Sequence, residues 1–377
     1  MKAKSTFSLK DQLFNEGRVS HLAAQIERAH PAFPGDAFHR AVMGAFPSLE
    51  LKQRIAHITA MLHTYLPRDY RAALHVIMQA LPPELDPTRT DDDYGDFIFA
   101  PLSLFVAKHG CTDEHLDVSL DALRQITKRF SAEDAVRYFL NAFPARTLHF
   151  LRECARDDHY HVRRLASEGT RPLLPWSQRL TIDYREPLPI LDELFADRTR
   201  YVTRSVANHV NDISKLDAAL AVGTIARWRA LDLQTPAEIR YITKHALRTL
   251  VRHGHADALA LVGFEPRAEF DLVELTTSTP RVRLGESLRF SVKLRARAPQ
   301  RLLVDYRMTY AGRGREARRK MFRLKQVQLD AGESVTLVKA HPMRLMTTRR
   351  LQAGKHTVTV VVNGRAVGEL GFTLETD

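Results

Sequence analysis

The stretch HVRRLASEG (161–169) recurs twice further along the chain, as YVTRSVANH (201–209) and YITKHALRT (241–249), at a spacing of 40 residues. Each copy has a β-branched apolar residue in its second place and a basic residue in its fourth. One period earlier, DALRQITKR (121–129) has a basic residue in the same fourth place. A period near 40 is typical of HEAT-like arrays, in which paired helices stack into a solenoid with an extended face.

The pattern in the remainder of residues 1–264 also predicts helices. Apolar residues recur every three or four positions, and Pro and Gly separate the segments. Thr-Pro-Ala-Glu at 235–238 predicts a helix start with a threonine cap and a glutamate that reaches back to it, and Gly254 suits the stop. Ser-Ala-Glu-Asp at 131–134 predicts a second start of the same kind. We therefore expect an all-α HEAT-like repeat solenoid over residues 1–264.

The pattern changes after Phe264, where short segments rich in β-branched residues alternate with turn residues. The predicted strands are EFDLVELTT, ESLRFSVKLRA, RLLVDYRMTY, RLKQVQL, SVTLVKAHP, HTVTVVVNG and VGELGFTLE. About seven strands in this length indicate an all-β sandwich of immunoglobulin-like type over residues 268–377, without the inter-sheet disulfide because the segment has no cysteine. The linker is expected at 265–268.

Charge and composition narrow the function classes. The formal net charge is +12, and residues 268–377 alone hold 21 Lys and Arg against 11 Asp and Glu. This imbalance favours a polyanionic partner. The sequence has two cysteines without metal-ligand spacing, and no nucleotide-binding, esterase or zinc-protease motif. The acidic run at 91–93 with Asp96 lacks the glycine and distal glutamate of a calcium loop. We expect no metal, no cofactor and no membrane span, and a monomeric cytoplasmic protein.

The basic column, defined as Arg124, Arg164, Arg204 and Lys244, would follow one face of the solenoid if the repeats were regular. Such a ladder can track a phosphate backbone. The alternative is a set of solvated helix positions that are paired with Asp or Glu. Further candidates for DNA binding share these repeats: Arg163, Arg171, Asn208, Lys215 and Arg248.

Two acidic residues are candidates for chemistry. Glu168 lies one helical turn after Arg164, so the two share a face, and the alternative is a plain ion pair within the helix. Asp121 falls at the repeat position of His161 and would face the same groove.

The segment that follows Glu168 breaks at Gly169 and Pro172 and ends in Trp176. An exposed tryptophan there would stack on a base or ribose, whereas a buried one would fill a gap between repeats.

A second basic cluster lies in the β-rich part, at RGREARRK (313–320). We expect a hairpin tip or loop that contacts DNA, with a flexible solubilising loop as the alternative. The residues predicted to contact DNA there are Arg313, Arg315, Arg318, Arg319 and Lys320.

Three long segments, HYHVRRLASEGTRPLLPW (159–176), RYVTRSVANHVNDISK (200–215) and HALRTLVRHGHADALALVGF (245–264), closely resemble the AlkC family of bacterial alkylated-DNA glycosylases, which is related to AlkD. The resemblance covers most of residues 8–264, and some members have a C-terminal immunoglobulin-like domain. It implies release of 3-methyladenine and 3-methylcytosine without extrusion of the base into a deep pocket.

The same resemblance, taken through AlkD, suggests roles for single residues. It places the cleft aspartate of AlkD at Asp121 and a phosphate-facing arginine at Arg164. The two cleft tryptophans of AlkD fall at Asn208 and Asp117, so both are absent from this sequence. The carboxylates would then do more of the chemistry.

The expected mechanism uses Asp121 or Glu168 to stabilise an oxocarbenium-like transition state, with flanking phosphates held by Arg164, Arg171 and Arg204. Two rival hypotheses about function remain. One is a non-catalytic HEAT-repeat scaffold for a protein partner, and the other is a protein that binds damaged or branched DNA without cleaving it.

Overall fold

The computed structural model describes residues 8–89, 94–311, 318–344 and 351–376. Within these ranges the chain is helical as far as Leu261 and forms strands from Phe270 onward. This order confirms the predicted helical array followed by a β-sandwich. Two compact units can be distinguished, one of residues up to Ile213 with Leu231–Ile242, and one of Ser214–Ala230 with the chain from Thr243. The second unit therefore includes helices as well as the strands.

The described helices are numbered in chain order. They are α1 Leu9–Leu13, α2 Glu16–Ala29, α3 Gly35–Ala45, α4 Leu51–Tyr65, α5 Tyr70–Gln79, α6 Ala100–His109, α7 Leu116–Thr127, α8 Glu133–Ala142, α9 Pro144–Cys154, α10 Tyr160–Gly169, α11 Leu188–Leu194, α12 Arg200–Ile213, α13 Ala218–Leu231, α14 Pro236–Ala246, α15 Arg248–Arg252 and α16 Ala256–Leu261. Short 3-10 turns lie at Phe46–Ser48 and Phe97–Phe99.

The helices of the first unit form two rows. In the first row α4, α6, α8, α10 and α12 each contact the next, and in the second row α5, α7, α9 and α11 do the same. Apolar side chains from both rows, such as Leu123, Val136, Leu151, Leu165 and Val206, are completely buried. Their spacing of three and four along each helix gives each one an apolar stripe, and burial of the two sets of stripes against each other forms the core.

The 40-residue period does not extend through the whole array. The helices α10 and α12 begin 40 residues apart, at Tyr160 and Arg200, but α8 begins only 27 residues before α10, at Glu133. Because the early repeats are shorter, α7 lies in the second row and α10 in the first. The predicted equivalence of Arg124 and Arg164 is therefore wrong, and the helix beside α10 in its own row is α8.

The two predicted helix starts are correct in place, but their caps differ from expectation. Thr235 accepts a hydrogen bond from the backbone N–H of Glu238 at 3.2 Å, as predicted. The Glu238 carboxylate, however, binds the guanidinium of Arg200 instead of the cap. At the start of α8 the cap position is Ala132, which has no side-chain acceptor. Ser131 is free of the capping role and instead accepts a hydrogen bond from Arg164.

The described part of the sandwich has eight strands, one more than predicted. They are β1 Phe270–Thr277, β2 Arg281–Arg283, β3 Ser287–Ala296, β4 Gln300–Tyr310, β5 Arg318–Leu329, β6 Ser334–Pro342, β7 Gly354–Val362 and β8 Arg365–Glu375. One sheet has the order β1-β3-β6 and the other the order β2-β8-β7-β4-β5. The added strand β2 is three residues long and pairs in parallel with β8, so it has too few residues to show an alternating pattern.

The expected linker packs against the sandwich. Ala268 is buried in the sandwich core, and the side chain of Asn363 donates a hydrogen bond to the carbonyl of Glu265. Within the same unit, the backbones of Gly254 and Gly364 approach so closely that a Cβ on Gly254 would lie 2.7 Å from the Gly364 Cα. Both glycines have a positive φ, so the predicted stop at Gly254 is also a contact that a side chain would break. The boundary between residues 264 and 268 stays a prediction.

Candidate active site

Glu168 is a buried carboxylate with a full set of partners. It lies in the last turn of α10 and is 5% exposed. One oxygen accepts from Arg171 at 2.6 Å and lies 3.7 Å from the guanidinium of Arg164, and the other accepts from the Ser205 hydroxyl at 2.6 Å. Burial by itself would raise the pKa of Glu168, but the two guanidiniums and the hydroxyl outweigh it and hold the pKa below its usual value. Glu168 is therefore ionised.

Arg164 joins Glu168 to a second carboxylate. Its guanidinium lies 3.5 Å from Glu133 at the start of α8 and stacks over the ring of Tyr201 on α12, 4.6 Å from its centroid. Burial raises the pKa of Glu133, and the negative charge of Glu168 adds to that rise while Arg164 opposes it. Two carboxylates on either side of one arginine thus have pKa values shifted in opposite directions, an arrangement typical of acid–base chemistry.

Two polar atoms at this cluster lack hydrogen-bond partners among the described residues. One is Oε2 of Glu133, and the other is the hydroxyl of Tyr201, which is itself buried. Glu133 is more accessible than Glu168, with 24% of its side chain exposed. The ring of Tyr94, which is exposed, packs edge-on against Tyr201. This edge of the cluster can therefore receive a water molecule or a substrate atom, and the carboxylate that faces it is Glu133.

Arg171 and Arg137 hold the segment behind Glu168. Arg171 binds Glu168 through one nitrogen and Asp212 of α12 through its Nε at 2.9 Å. Arg137 on α8 is fully buried and donates to the carbonyls of Gly169 at 3.0 Å, Arg171 at 2.8 Å and Gln178 at 2.8 Å. These contacts fix the position of the Glu168 carboxylate before any substrate binds.

Several arginines that were predicted to contact phosphates bind groups of the protein itself. Arg163 is buried: Nε and Nη2 bind Asp197, and Nη1 donates to the carbonyls of Asp157 and Asp158. Most of its donors are satisfied within the protein, so DNA contact by Arg163 stays a prediction, and this geometry does not favour it. The reason is helical geometry, since neighbouring residues differ by about 100° in direction and Arg163 cannot share the face of Arg164.

The alternative of pairing with Asp or Glu holds for two members of the basic column, Arg124 and Arg164. Arg124 lies 3.7 Å from Glu153 and 4.0 Å from Asp157. Arg164 and Arg171 bind acidic residues as described above, so their guanidiniums act on carboxylates where the sequence suggested phosphates.

The structure does not bring Asp121 to Glu168. Asp121 is exposed on α7 and lines two shallow grooves, one between α7 and α9 and one between α5 and α7. None of the residues that line these grooves belongs to α10 or α12. The expectation of a shared groove rested on the 40-residue period, which fails between α7 and α10. The second carboxylate of the cluster around Arg164 is Glu133, whereas the sequence had suggested Asp121.

The remaining candidates are at least partly accessible. Arg204 and Asn208 are half-buried on α12, and the Arg204 guanidinium lies 5.9 Å from the centroid of the Tyr201 ring. In the second unit Lys215 and Lys244 are exposed and Arg248 is half-buried. Arg318, Arg319 and Lys320 are exposed, but they form the start of strand β5 and not a loop tip. Trp176 is 85% exposed, so it does not fill a gap between repeats. Arg313 and Arg315 lie outside the described residues.

Sequence reasoning missed four members of the cluster: Glu133, Tyr201, Ser205 and Asp212. Glu133 was noticed only as part of a helix start, and the spacing of 27 residues hid its relation to Arg164. Ser205 lies 37 residues from Glu168 in the chain, so only the packing of α12 on α10 relates them.

The described part of the chain has neither a metal-binding cluster nor a membrane-spanning helix. Across residues 8–89, 94–311, 318–344 and 351–376, no group of three or more His, Cys, Asp or Glu could hold a metal ion. In those same ranges no helix is both long enough and apolar enough to cross a membrane. Burial raises the pKa of the Cys154 thiol to about 12, so this thiol is unreactive.

Comparison with known proteins gives one consistent result. Residues 271–376 match the family described as "Uncharacterised protein YhaZ, C-terminal Ig-like domain", which confirms the predicted immunoglobulin-like sandwich. The chain is 30% identical over 365 residues to "Uncharacterized protein YhaZ" of Bacillus subtilis (strain 168), across 96% of this chain and 98% of the relative. A solved structure of Pseudomonas fluorescens alkylpurine DNA glycosylase AlkC, bound to DNA containing an abasic site analog, matches with a TM-score of 0.87 and 34% identity over 98% of this chain and 100% of that chain. The chain therefore belongs to the AlkC family.

Proposed function

We propose that this protein is a DNA glycosylase that hydrolyses the N-glycosidic bond of cationic N-methylated bases, 3-methylcytosine and 3-methyladenine, in duplex DNA. The observation that carries the proposal is the ionised Glu168, buried between Arg164, Arg171 and Ser205 beside a second carboxylate. Membership of a family that includes an alkylpurine DNA glycosylase bound to DNA supports it. That the base leaves without extrusion into a deep pocket is part of the proposal and rests on the resemblance alone.

The chemistry follows from the charge of the substrate. A base methylated at N3 is cationic and leaves as a neutral molecule, so the enzyme need not protonate it. The sugar then passes through an oxocarbenium-like transition state, which a fixed anion stabilises. In the proposal Glu168 supplies that anion. Glu133 has a raised pKa and an oxygen that lacks a hydrogen bond among the described residues, and in the proposal it accepts a proton from the attacking water. This route uses water and side chains, without a metal or an organic cofactor.

In the proposal, DNA is held by basic and amide residues that are at least partly accessible. Arg204 and Asn208 lie on the same helix as Tyr201 and are partly accessible. Lys215, Lys244, Arg248 and the basic residues at the start of β5 are further phosphate contacts in the proposal. One chain is sufficient for these roles, and no protein partner is required.

The proposal is tested by base release under single-turnover conditions from a duplex with one 3-methylcytosine, and from a second duplex with 3-methyladenine. We expect release by the wild type and a loss of about a hundredfold to a thousandfold in Glu168→Gln, which keeps the shape of the side chain but not its charge. DNA affinity should be retained, because Glu168 acts on the transition state.

Asp121→Asn is the matched control, since it also replaces a carboxylate by an amide but at the exposed position on α7. We expect it to keep the wild-type rate. A loss in Asp121→Asn with none in Glu168→Gln would move the chemistry to Asp121. Tight DNA binding without release from either duplex would favour a binding protein.

A further inference from the structure

Tyr201 on α12 is a buried tyrosine whose hydroxyl has no hydrogen-bond partner in the part of the chain that the structure describes. The residue is only 1% exposed. A buried hydroxyl without a partner lowers the stability of a protein, and most buried polar groups are therefore paired. A phenylalanine ring would fill nearly the same space without this cost. The hydroxyl at this position therefore requires a role other than packing.

The ring of Tyr201 is held by four other side chains. The Arg164 guanidinium lies over its face, 4.6 Å from the ring centroid. Tyr160 packs edge-on at a centroid distance of 5.6 Å, His161 lies at 5.0 Å, and Tyr94 packs edge-on at 5.5 Å. Tyr160 and His161 are buried, whereas Tyr94 is exposed. These contacts fix the direction of the hydroxyl before a substrate binds.

The hydroxyl of Tyr201 shares its surroundings with Glu133. Arg164, which stacks on the tyrosine ring, places its Nη1 3.5 Å from Oε2 of Glu133, and this oxygen also lacks a hydrogen bond among the described residues. The pKa of Tyr201 reflects the same proximity, because burial raises it most, Arg164 opposes the rise, and the negative charge of Glu133 adds to it. The phenol therefore stays protonated and neutral.

These two oxygens suit a single water molecule. An ionised carboxylate only accepts hydrogen bonds, whereas a phenol oxygen both accepts and donates. A buried water needs about two to four polar partners, and here two candidates lie beside the same guanidinium. A water between them can donate one hydrogen to each oxygen. This geometry leaves a lone pair of the water free to form a bond to carbon.

We propose that the Tyr201 hydroxyl and Oε2 of Glu133 together hold the water that attacks the sugar, so that Tyr201 is a further catalytic residue of the reaction. This inference rests on the proposed function. The cationic base leaves with the electron pair of the glycosidic bond, and a lone pair of the water oxygen forms the new bond to C1′ of the sugar. Glu133 takes up the proton that the water loses, and Tyr201 keeps its own proton throughout.

The first test is the single-turnover rate of base release by Tyr201→Phe from a duplex with one 3-methyladenine. Phenylalanine keeps the ring under Arg164 and removes only the oxygen. We expect a rate between about tenfold and a hundredfold lower, the loss that a misplaced reactant causes. The affinity for a duplex with a tetrahydrofuran abasic analogue should stay within about twofold of the wild type, because the water acts on the transition state.

Tyr70→Phe is the matched control. Tyr70 is also a buried tyrosine of the first unit, but its hydroxyl has a hydrogen bond to Ser119 at 2.7 Å. We expect this variant to keep the wild-type rate and to unfold at a lower temperature, because a hydrogen bond is lost. Tyr201→Phe should show the opposite result, a lower rate without a lower unfolding temperature. A lowered unfolding temperature in Tyr201→Phe with an unchanged rate would show that the hydroxyl only supports the fold, and would overturn the proposal.

A double variant tests whether Tyr201 and Glu133 act on the same water. Loss of the Glu133 carboxylate already misplaces that water, so adding Tyr201→Phe to Glu133→Gln should slow base release by less than about threefold more. Tyr201→Phe alone should keep the acid limb of the pH–rate profile, because Glu133 is still the base. Losses that multiply in full would mean that the hydroxyl acts elsewhere, and would overturn the proposal.

The inference and the proposed function fail in different ways. If the wild type releases the base and Tyr201→Phe is equally fast, the role of Tyr201 is refuted while the glycosylase function stands. If the wild type releases no base from either duplex, both proposals fail together.

Discussion

Glu133 and Glu168 are the same kind of residue in two different settings. Glu168 has two guanidiniums and a hydroxyl around it, and these keep it ionised despite burial. Glu133 shares only Arg164, through a longer contact of 3.5 Å, and faces the negative charge of Glu168. The first setting suits a fixed negative charge, and the second suits a group that takes up a proton during the reaction.

This difference predicts the pH dependence of base release. A raised pKa means that Glu133 becomes protonated at a pH above its ordinary value of 4.5, so the rate should begin to fall at that higher pH as acid is added. Glu133→Gln should lower the rate and remove this acid limb. The measurement is the single-turnover rate against pH for both proteins. A wild-type rate that stays constant down to the ordinary pKa of glutamate would contradict the role of Glu133.

At the level of single residues, sequence reasoning succeeded where the partner was local. Arg164 and Glu168 are four positions apart on one helix, so their proximity could be predicted. Ser205 and Glu133 reach the site from other helices, at chain distances that depend on loop length. No periodicity within α10 contains that information.

At the level of elements, the buried ion pair of Arg163 predicts that this residue stabilises the fold, which stability measurements can test. It links α10 to Asp197 after α11, and the Asp197 side chain is only 4% exposed. Arg163→Gln would leave that carboxylate buried without its charge partner, which costs about 3–5 kcal/mol in the free energy of unfolding. Chemical denaturation measures the loss, and the affinity of the folded protein for duplex DNA should not change.

Arg156→Gln is the matched control for this experiment. Arg156 also pairs with an acidic residue, Glu193 at 2.7 Å, but its side chain is 71% exposed. Water screens such a pair, so we expect a much smaller loss of stability than in Arg163→Gln. Weaker DNA binding by folded Arg163→Gln would instead support the phosphate contact that the sequence suggested for Arg163.

The arrangement of elements explains which predictions failed. The three quoted copies begin within α10, α12 and α14, whose first residues are Tyr160, Arg200 and Pro236. Between α8 and α10 the connections are shorter, whereas an 18-residue connection that contains Trp176 separates Gly169 from Leu188. A period read from the sequence measures helix plus loop, so a change in loop length shifts the register although the packing of helices continues. In the sandwich, β5 begins earlier than expected because its first residues are basic and show no apolar alternation.

For the whole molecule, the sequence pattern indicated the structural class of each part of the chain, but it did not indicate the boundaries of the two compact units. The change from helical to β-rich pattern near Phe264 is visible in the sequence and in the structure. The compact units divide the chain elsewhere, because α13 and the chain from Thr243 cluster with the strands. The helices that cluster with the strands have the same three-and-four periodicity as helices of the array, so the sequence does not distinguish them. Removal of residues 268–377 would therefore cut through a packed unit, and substitution is the better test of its role.

The excess of positive charge in residues 268–377 predicts a measurable salt dependence. Arg318, Arg319 and Lys320 are exposed at the start of β5. If they contact phosphates, replacing all three by Gln should make the slope of log affinity against log salt less steep by about 0.9 per lost contact, so by at most about 2.7. The control replaces Arg28, Arg40 and Arg68, which are also exposed, and changes the net charge equally. An equal change of slope in both variants would mean that only net charge matters, and that β5 is not a DNA contact.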